Sequence, residues 1–143
     1  MSRDPYNATV RRHFANPLHA GVLQPRYPDV VTAEARESDS GFRVVLGAEL
    51  DGRMMRRLRY RVFGCPHLIA AAELSCARFE GGTVESLRDV SVAELMERLE
   101  VPVEKTGRML LLEDAARLLA AAMQDIIGRG QADETSPGEP TGM

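Results

Sequence analysis

The sequence predicts an α+β fold, a three-stranded antiparallel sheet with helices packed on one face. Three observations carry this. The hydrophobic period runs helical, then strand-like, then helical again along the chain. Asp51-Gly52 separates two strand segments by too little chain for a crossover, so they pair as a hairpin. One strand alternates apolar residues with arginines, as a sheet with one covered face requires.

In the first segment, Tyr6, Val10 and Phe14 recur every fourth residue and predict a helix over Pro5 to Asn16. Asp4 suits its N-cap and Pro5 its first position, and Asn16-Pro17 ends it. Residues 17–28 hold three prolines and read as an irregular connection. Strands are expected at Val30 to Ala35, Phe42 to Leu50 and Met54 to Phe63. In the third, Leu58, Tyr60 and Val62 face one way, and Arg57, Arg59 and Arg61 the other. Glu37 to Gly41 is a loop between the first two strands. Cys65-Pro66 opens a helix to about Glu80, with Ile69, Ala72, Cys76 and Phe79 on one face and Gly81-Gly82 as its stop. Ser91 and Glu94 form a capping box for a short helix to Leu99. A last helix is expected from Leu110 to Ile127, burying Leu111, Ala115, Leu118, Ala122 and Ile126 and ending at Gly128-Arg129-Gly130. Residues 1–128 then form one domain, and 129–143, polar and aperiodic, a disordered tail.

The composition narrows the function classes. With 143 residues the chain can bury a core without disulfides or a structural metal. Aromatics are 5% and Trp is absent, so that core is aliphatic. No apolar run approaches the roughly 20 residues of a membrane span. The opening residues lack a secretory pattern, so the expectation is a cytoplasmic protein. Two cysteines make no disulfide framework. A net charge of -3 argues against nucleic acid as partner. Arg53, Arg56, Arg57, Arg59 and Arg61 read first as a solvated sheet face, and second as a docking site for an acidic protein surface.

Cys65 is the residue best placed for chemistry. At a strand-to-helix junction a thiol meets unpaired backbone N–H groups and the positive helix end, which favour the thiolate. The plain alternative is a small hydrophobe used as a cap. Cys76 lies eleven residues on, about 16 Å along the helix. That is too far for a shared metal or a disulfide, so Cys76 belongs to the core. His67 falls nearly opposite Cys65 on the helix. His13 and His19 flank the first connection as isolated histidines. No metalloprotease, phosphate-loop or nucleophile-elbow motif is present, and the chain is not expected to be an enzyme.

The residues also resemble a family, the U-type iron–sulfur cluster assembly scaffolds, comprising IscU and the N-terminal domain of NifU. Tyr6 to Pro17 is similar to their first helix and its Asn-Pro exit. Arg61 to Cys65, followed by an Ala-rich helix, is similar to their second cysteine site. Val101 to Lys105 resembles a chaperone-binding segment, with Val103 and Glu104 in place of Pro and Val. Leu111 to Ala116 resembles the start of their last helix. The resemblance implies the family's α+β sandwich and a role in carrying a [2Fe–2S] cluster. It implies sulfur from a cysteine desulfurase, a chaperone partner, and delivery to acceptor proteins.

The family uses three cysteines and a nearby Asp or His, because iron–sulfide clusters want soft anionic ligands, normally four. Here Cys65 matches the second cysteine. Ser38 falls at or beside the first, Asp39 or Ser40 near the aspartate, and Gly107-Arg108 at the His-Cys pair. Cys65 and Asp39 are therefore the expected metal ligands, with Cys65 the point of attachment for iron, a [2Fe–2S] cluster or persulfide sulfur. Three functions follow. One is a scaffold that binds such cargo and passes it on, with missing ligands supplied from a second chain, glutathione or a partner. Another is a degenerate pseudo-scaffold that binds no cluster and serves the assembly machinery as an interaction partner. The third is a sulfur carrier using Cys65 alone.

Overall fold

The computed structural model describes residues 7–15, 17–23 and 29–135, with side chains described except at 13–15 and 130–135. The elements are α1 (Ala8–Ala15), β1 (Val30–Arg36), β2 (Arg43–Asp51), β3 (Met54–Phe63), α2 (Pro66–Phe79), α3 (Val92–Leu99) and α4 (Thr106–Thr135). Short 3-10 turns occupy Val84–Asp89 and Val103–Lys105. The sheet is antiparallel in the order β1-β2-β3. The expected three-stranded α+β architecture is present. The β2–β3 turn forms at Asp51-Gly52, where Gly52 takes φ +63°, a value that favours glycine.

One face of the sheet supplies the core. Val31, Ala35, Val44, Leu46, Ala48, Leu58 and Tyr60 are all buried there. α4 lies on β1 and β2, and α2 lies on β3. α2 also meets α1, α3 and α4, which accounts for its small residues Ala70, Ala71 and Ala72, all fully buried. The other sheet face is not simply solvated. Gly47 and Glu49 are buried on it. A Cβ at Gly47 would stand 3.4 Å from Thr32 Cγ2 and 3.9 Å from Leu23 Cδ1, so the segment carrying Leu23 lies over the middle of this face.

Several boundaries differ from expectation. Asn7 caps α1, its Oδ1 accepting the Val10 N–H at 2.9 Å. The anticipated cap Asp4, with Pro5, Tyr6 and Asn16, lies outside the described residues, as does the Phe14 side chain. α4 begins at Thr106, four residues before Leu110, and runs through Gly128-Arg129-Gly130 to Thr135. Glycine costs a helix only about 1 kcal/mol relative to alanine, and proline first appears at Pro137. Residues 129–135 are thus helical rather than tail, and 136–143 lie outside the described residues. Of the expected face, Leu111 and Ala115 are buried and Ala122 is half-buried, while Leu118 and Ile126 are exposed; the fully buried stripe runs through Met109, Leu112, Ala116, Leu119 and Met123. Apolar residues occur nearly all round this helix, so its period fits two neighbouring stripes.

The capping box at α3 is as expected, with Ser91 Oγ accepting the Glu94 N–H at 3.2 Å. The Glu113 carboxylate reaches over from α4 and accepts the Val92 N–H at 2.9 Å, a second anion at that positive helix end. Among the described residues no helix is long and apolar enough to cross a membrane.

Candidate functional site

Three segments meet at the end of the sheet where β3 gives way to α2. The first is the 37–42 connection. It is closed by Glu37 N–H to Phe42 O at 2.9 Å and Gly41 N–H to Glu37 O at 3.1 Å. Gly41 sits at φ +79°, and Ser40 Oγ accepts the Phe42 N–H at 3.1 Å. Ser38 and Asp39 ride at its exposed tip.

The second segment is Gly64 to His67. Cys65 occupies the N-cap of α2 in extended conformation, with Pro66 next. Its carbonyl accepts the Leu68 and Ile69 N–H groups at 3.0 and 3.1 Å. Its thiol makes no capping hydrogen bond, so the sulfur is not committed to closing the helix. The residue is half-buried. Gly64 makes a close approach, since a Cβ there would fall 2.9 Å from Cδ2 of the buried Leu68, whose side chain would have to shift.

The third segment is the start of α4. Lys105 Nζ lies 3.0 Å from His67 Nδ1. The Arg108 guanidinium stacks over the Phe42 ring at 4.6 Å. Arg108 thereby ties the first segment to the third, and Lys105 ties the third to the second. His67 is fully buried. Burial, then the charges of Lys105 and Arg108, push its pKa below the ordinary histidine value. The imidazole is neutral at physiological pH.

Of the expected site residues, Cys65 is at the strand-to-helix junction and partly accessible, while Asp39 is on the exposed tip of the facing connection. Among the described residues no three His, Cys, Asp or Glu side chains gather as a metal-binding group. Cys76 is fully buried, and burial with the Glu73 charge drives its thiol pKa far up, so it is a core residue as expected.

A second polar cluster lies under the β3 edge. Glu73, only 2% exposed, accepts the His19 N–H at 2.8 Å and meets His19 Nδ1 at 2.5 Å. His19 Nε2 stands 3.2 Å from Glu80, which also accepts the Leu58 N–H at 2.9 Å and pairs with Arg59 at 2.5 Å. This cluster was not anticipated. One sign was available, a lone acid among the apolar and small residues of Leu68 to Cys76. It pins residues 19–21 along β3, where Tyr60 N–H bonds to His19 O and Gly21 N–H to Tyr60 O.

The fold and this junction are those of a small α+β domain with a cysteine at a strand-to-helix turn. Residues 5–130 match the NifU-like N-terminal domain family, and the chain belongs to that family. It is similar to iron sulfur cluster assembly protein 1 of Trachipleistophora hominis, 25% identical over 87% of this chain and 88% of that one. The protein of the same name from Encephalitozoon cuniculi is 24% identical over 88% and 89%. Among solved structures, the N-terminal part of a nitrogen-fixing NifU-like protein from Brucella abortus superposes with TM-score 0.64. It covers 83% of this chain and 94% of that one at 16% identity, a likeness of fold.

Proposed function

We propose that the chain serves iron–sulfur cluster assembly as a U-type scaffold relative whose working group is Cys65. The observation that supports this is the pairing of family membership over residues 5–130 with a half-buried cysteine whose thiol is not spent on capping the helix. Cargo attaches at Cys65, with Asp39 of the 37–42 connection as the candidate oxygen ligand, and passes to acceptor proteins. Iron, a [2Fe–2S] cluster and sulfane sulfur are all cargo here rather than a resident cofactor.

The donor set decides which cargo this chain can hold alone. A cluster takes about four anionic ligands. Cys65 and Asp39 supply two. Ser38 is a hydroxyl, and Arg108 is a permanent cation that cannot ligate. A cluster therefore requires ligands from a second chain or a thiol cofactor. Persulfide needs only Cys65: its thiolate attacks the outer sulfur of a donor persulfide, and the donor leaves as thiolate. A cysteine desulfurase is the fitting donor. The chaperone contact implied by Val101 to Lys105 is weaker, because the segment departs from the family pattern at two positions.

The test is anaerobic reconstitution with ferrous iron, sulfide and thiol, and separately incubation with a desulfurase and cysteine, wild type beside Cys65→Ala. Bound iron with visible absorbance, or a mass gain of one sulfur, should appear in the wild type and vanish in the variant. If neither appears, the protein is a pseudo-scaffold that binds partners without cargo.

A further inference from the structure

The arginines around β3 do not act as one row. Arg53 pairs with Glu85. Arg56 and Arg57 lie 3.9 and 3.5 Å from Glu49, and Arg59 pairs with Glu80. Arg61 meets no carboxylate among the described residues, and its charge contact is the Phe63 ring at 5.6 Å. Arg43 lies over the same ring at 4.1 Å, with Glu34 at 3.7 Å. That Glu34 oxygen is already held by Arg36 at 2.9 and 3.1 Å. Two guanidiniums thus flank a phenyl group that is 44% exposed. A guanidinium stacked on a ring keeps its N–H edge free for a carboxylate.

The surface is concave on both sides of Phe63. One side is a cleft of about 400 Å³ lined by Arg36, Glu37, Ser38, Gly41 and Arg43. The other is an apolar groove of about 340 Å³ along β3, lined by Pro17, Tyr60, Val62 and Ile69. Leu18 and Val22, both well exposed, lie on the segment that borders it. Backbone groups of the even-numbered residues here face the sheet edge. Leu58 N–H is taken by Glu80, and Tyr60 by His19 and Gly21. Val62 is next in that series, and no edge bond reaches it among the described residues.

We infer that this is a docking surface for an extended acidic segment of a partner protein. The segment adds to the β3 edge at Val62, places an apolar side chain in the groove, and sets carboxylates on Arg61 and Arg43. The sign of the partner follows from charge. Arg61 meets no carboxylate among the described residues and Arg43 shares Glu34 with Arg36, so the two guanidiniums on the Phe63 ring are the groups left to be matched, while the acids Glu37 and Asp39 lie on the neighbouring connection rather than on that ring. A second copy fits poorly, because a two-fold contact across this patch would bring like arginines together. The surface does not involve Cys65, so this inference and the cargo reading stand or fall separately.

The test is a titration of the ¹⁵N-labelled full chain, Cys65 intact, with an acetylated octapeptide of alternating leucine and glutamate. Alternating leucine and lysine is the control. The acidic peptide should shift the Gly21, Val62 and Phe63 amides saturably, slow exchange at the Val62 N–H, and weaken with salt. Arg61→Glu, a surface change, should weaken it roughly tenfold or more. Equal shifts with the lysine peptide, or acidic-peptide binding indifferent to Arg61→Glu, overturn the inference. So do shifts that follow protein concentration alone, which would mean a second copy.

Discussion

Replacing Glu73 by alanine should destabilise the protein by about 3–5 kcal/mol, the cost of stripping the His19 N–H and ring of their contacts to a buried carboxylate. The figure follows from what the carboxylate holds. Glu73 is 2% exposed, and both its oxygens are engaged by His19, one by the backbone N–H at 2.8 Å and one by the ring at 2.5 Å. Truncation leaves that N–H buried beside an empty space, which alone costs about 1–3 kcal/mol. Glu73→Gln keeps an acceptor for the N–H and loses the charge, so about 1–2 kcal/mol is expected. At roughly 3 °C per kcal/mol for a chain of this size, alanine lowers the midpoint by about 9–15 °C. Urea unfolding of the wild type, both single variants and the double variant with His19→Ala gives the coupling. It should be about 1–3 kcal/mol, because His19→Ala costs little once its partner is gone. Additive effects, or an alanine cost below about 1 kcal/mol, would refute the role assigned to the pair.

Other consequences are simpler to check. Burial works to raise the Glu80 carboxyl pKa, but the Leu58 N–H and the Arg59 guanidinium outweigh it, leaving it below the usual value. Its stabilising contribution is therefore complete above pH ~4.3 and drains away as pH falls through the lower folded value. Glu80→Gln should flatten that acid limb in urea midpoints measured from pH 7 to 3. Gly64→Ala forces a Cβ to 2.9 Å from the buried Leu68 Cδ2 and should cost about 1–3 kcal/mol in thermal unfolding. Thiol titration with an aromatic disulfide reagent should find one reactive cysteine in the native protein, Cys65, and two in denaturant.

The three strands, their hairpin and the Cys65–Pro66 helix start were legible because each rests on local pattern. The alternation of Leu58, Tyr60 and Val62 with Arg57, Arg59 and Arg61 fixed which face of β3 is covered. α4 was harder. Its apolar residues nearly encircle the helix, so sequence period alone could not choose between the stripe through Leu118 and the one through Leu119. Sheet contact chose the second. The covering of Gly47 and Glu49 comes from a segment distant in sequence, and a glycine and an acid give no local sign of being buried. The site was legible in part. Cys65 follows from its junction. The approach of Lys105 to His67 and of Arg108 to Phe42 spans 38 and 66 residues of chain, and only the folded packing of α4 brings them there.

That packing bears on what the ligand replacements mean. Arg108 occupies a position where the family resemblance places a cysteine, yet its contact with Phe42 still draws the start of α4 onto the 37–42 connection. If the three segments converge closely enough to share a cluster, thiols restored at two of them should act with Cys65. The double variant Ser38→Cys/Arg108→Cys tests this. Loss of the ring contact should cost about 0.5–1 kcal/mol, well short of unfolding the domain. Three thiolates and Asp39 would then complete a four-ligand set within one chain. Anaerobic reconstitution should give iron and sulfide near two atoms each per chain, and reverting Cys65 to alanine in that background should abolish it. Iron binding no greater than in the wild type, with folding intact by circular dichroism, would mean that the segments meet too loosely. The loss of ligands would then have been accompanied by a loss of the site's geometry.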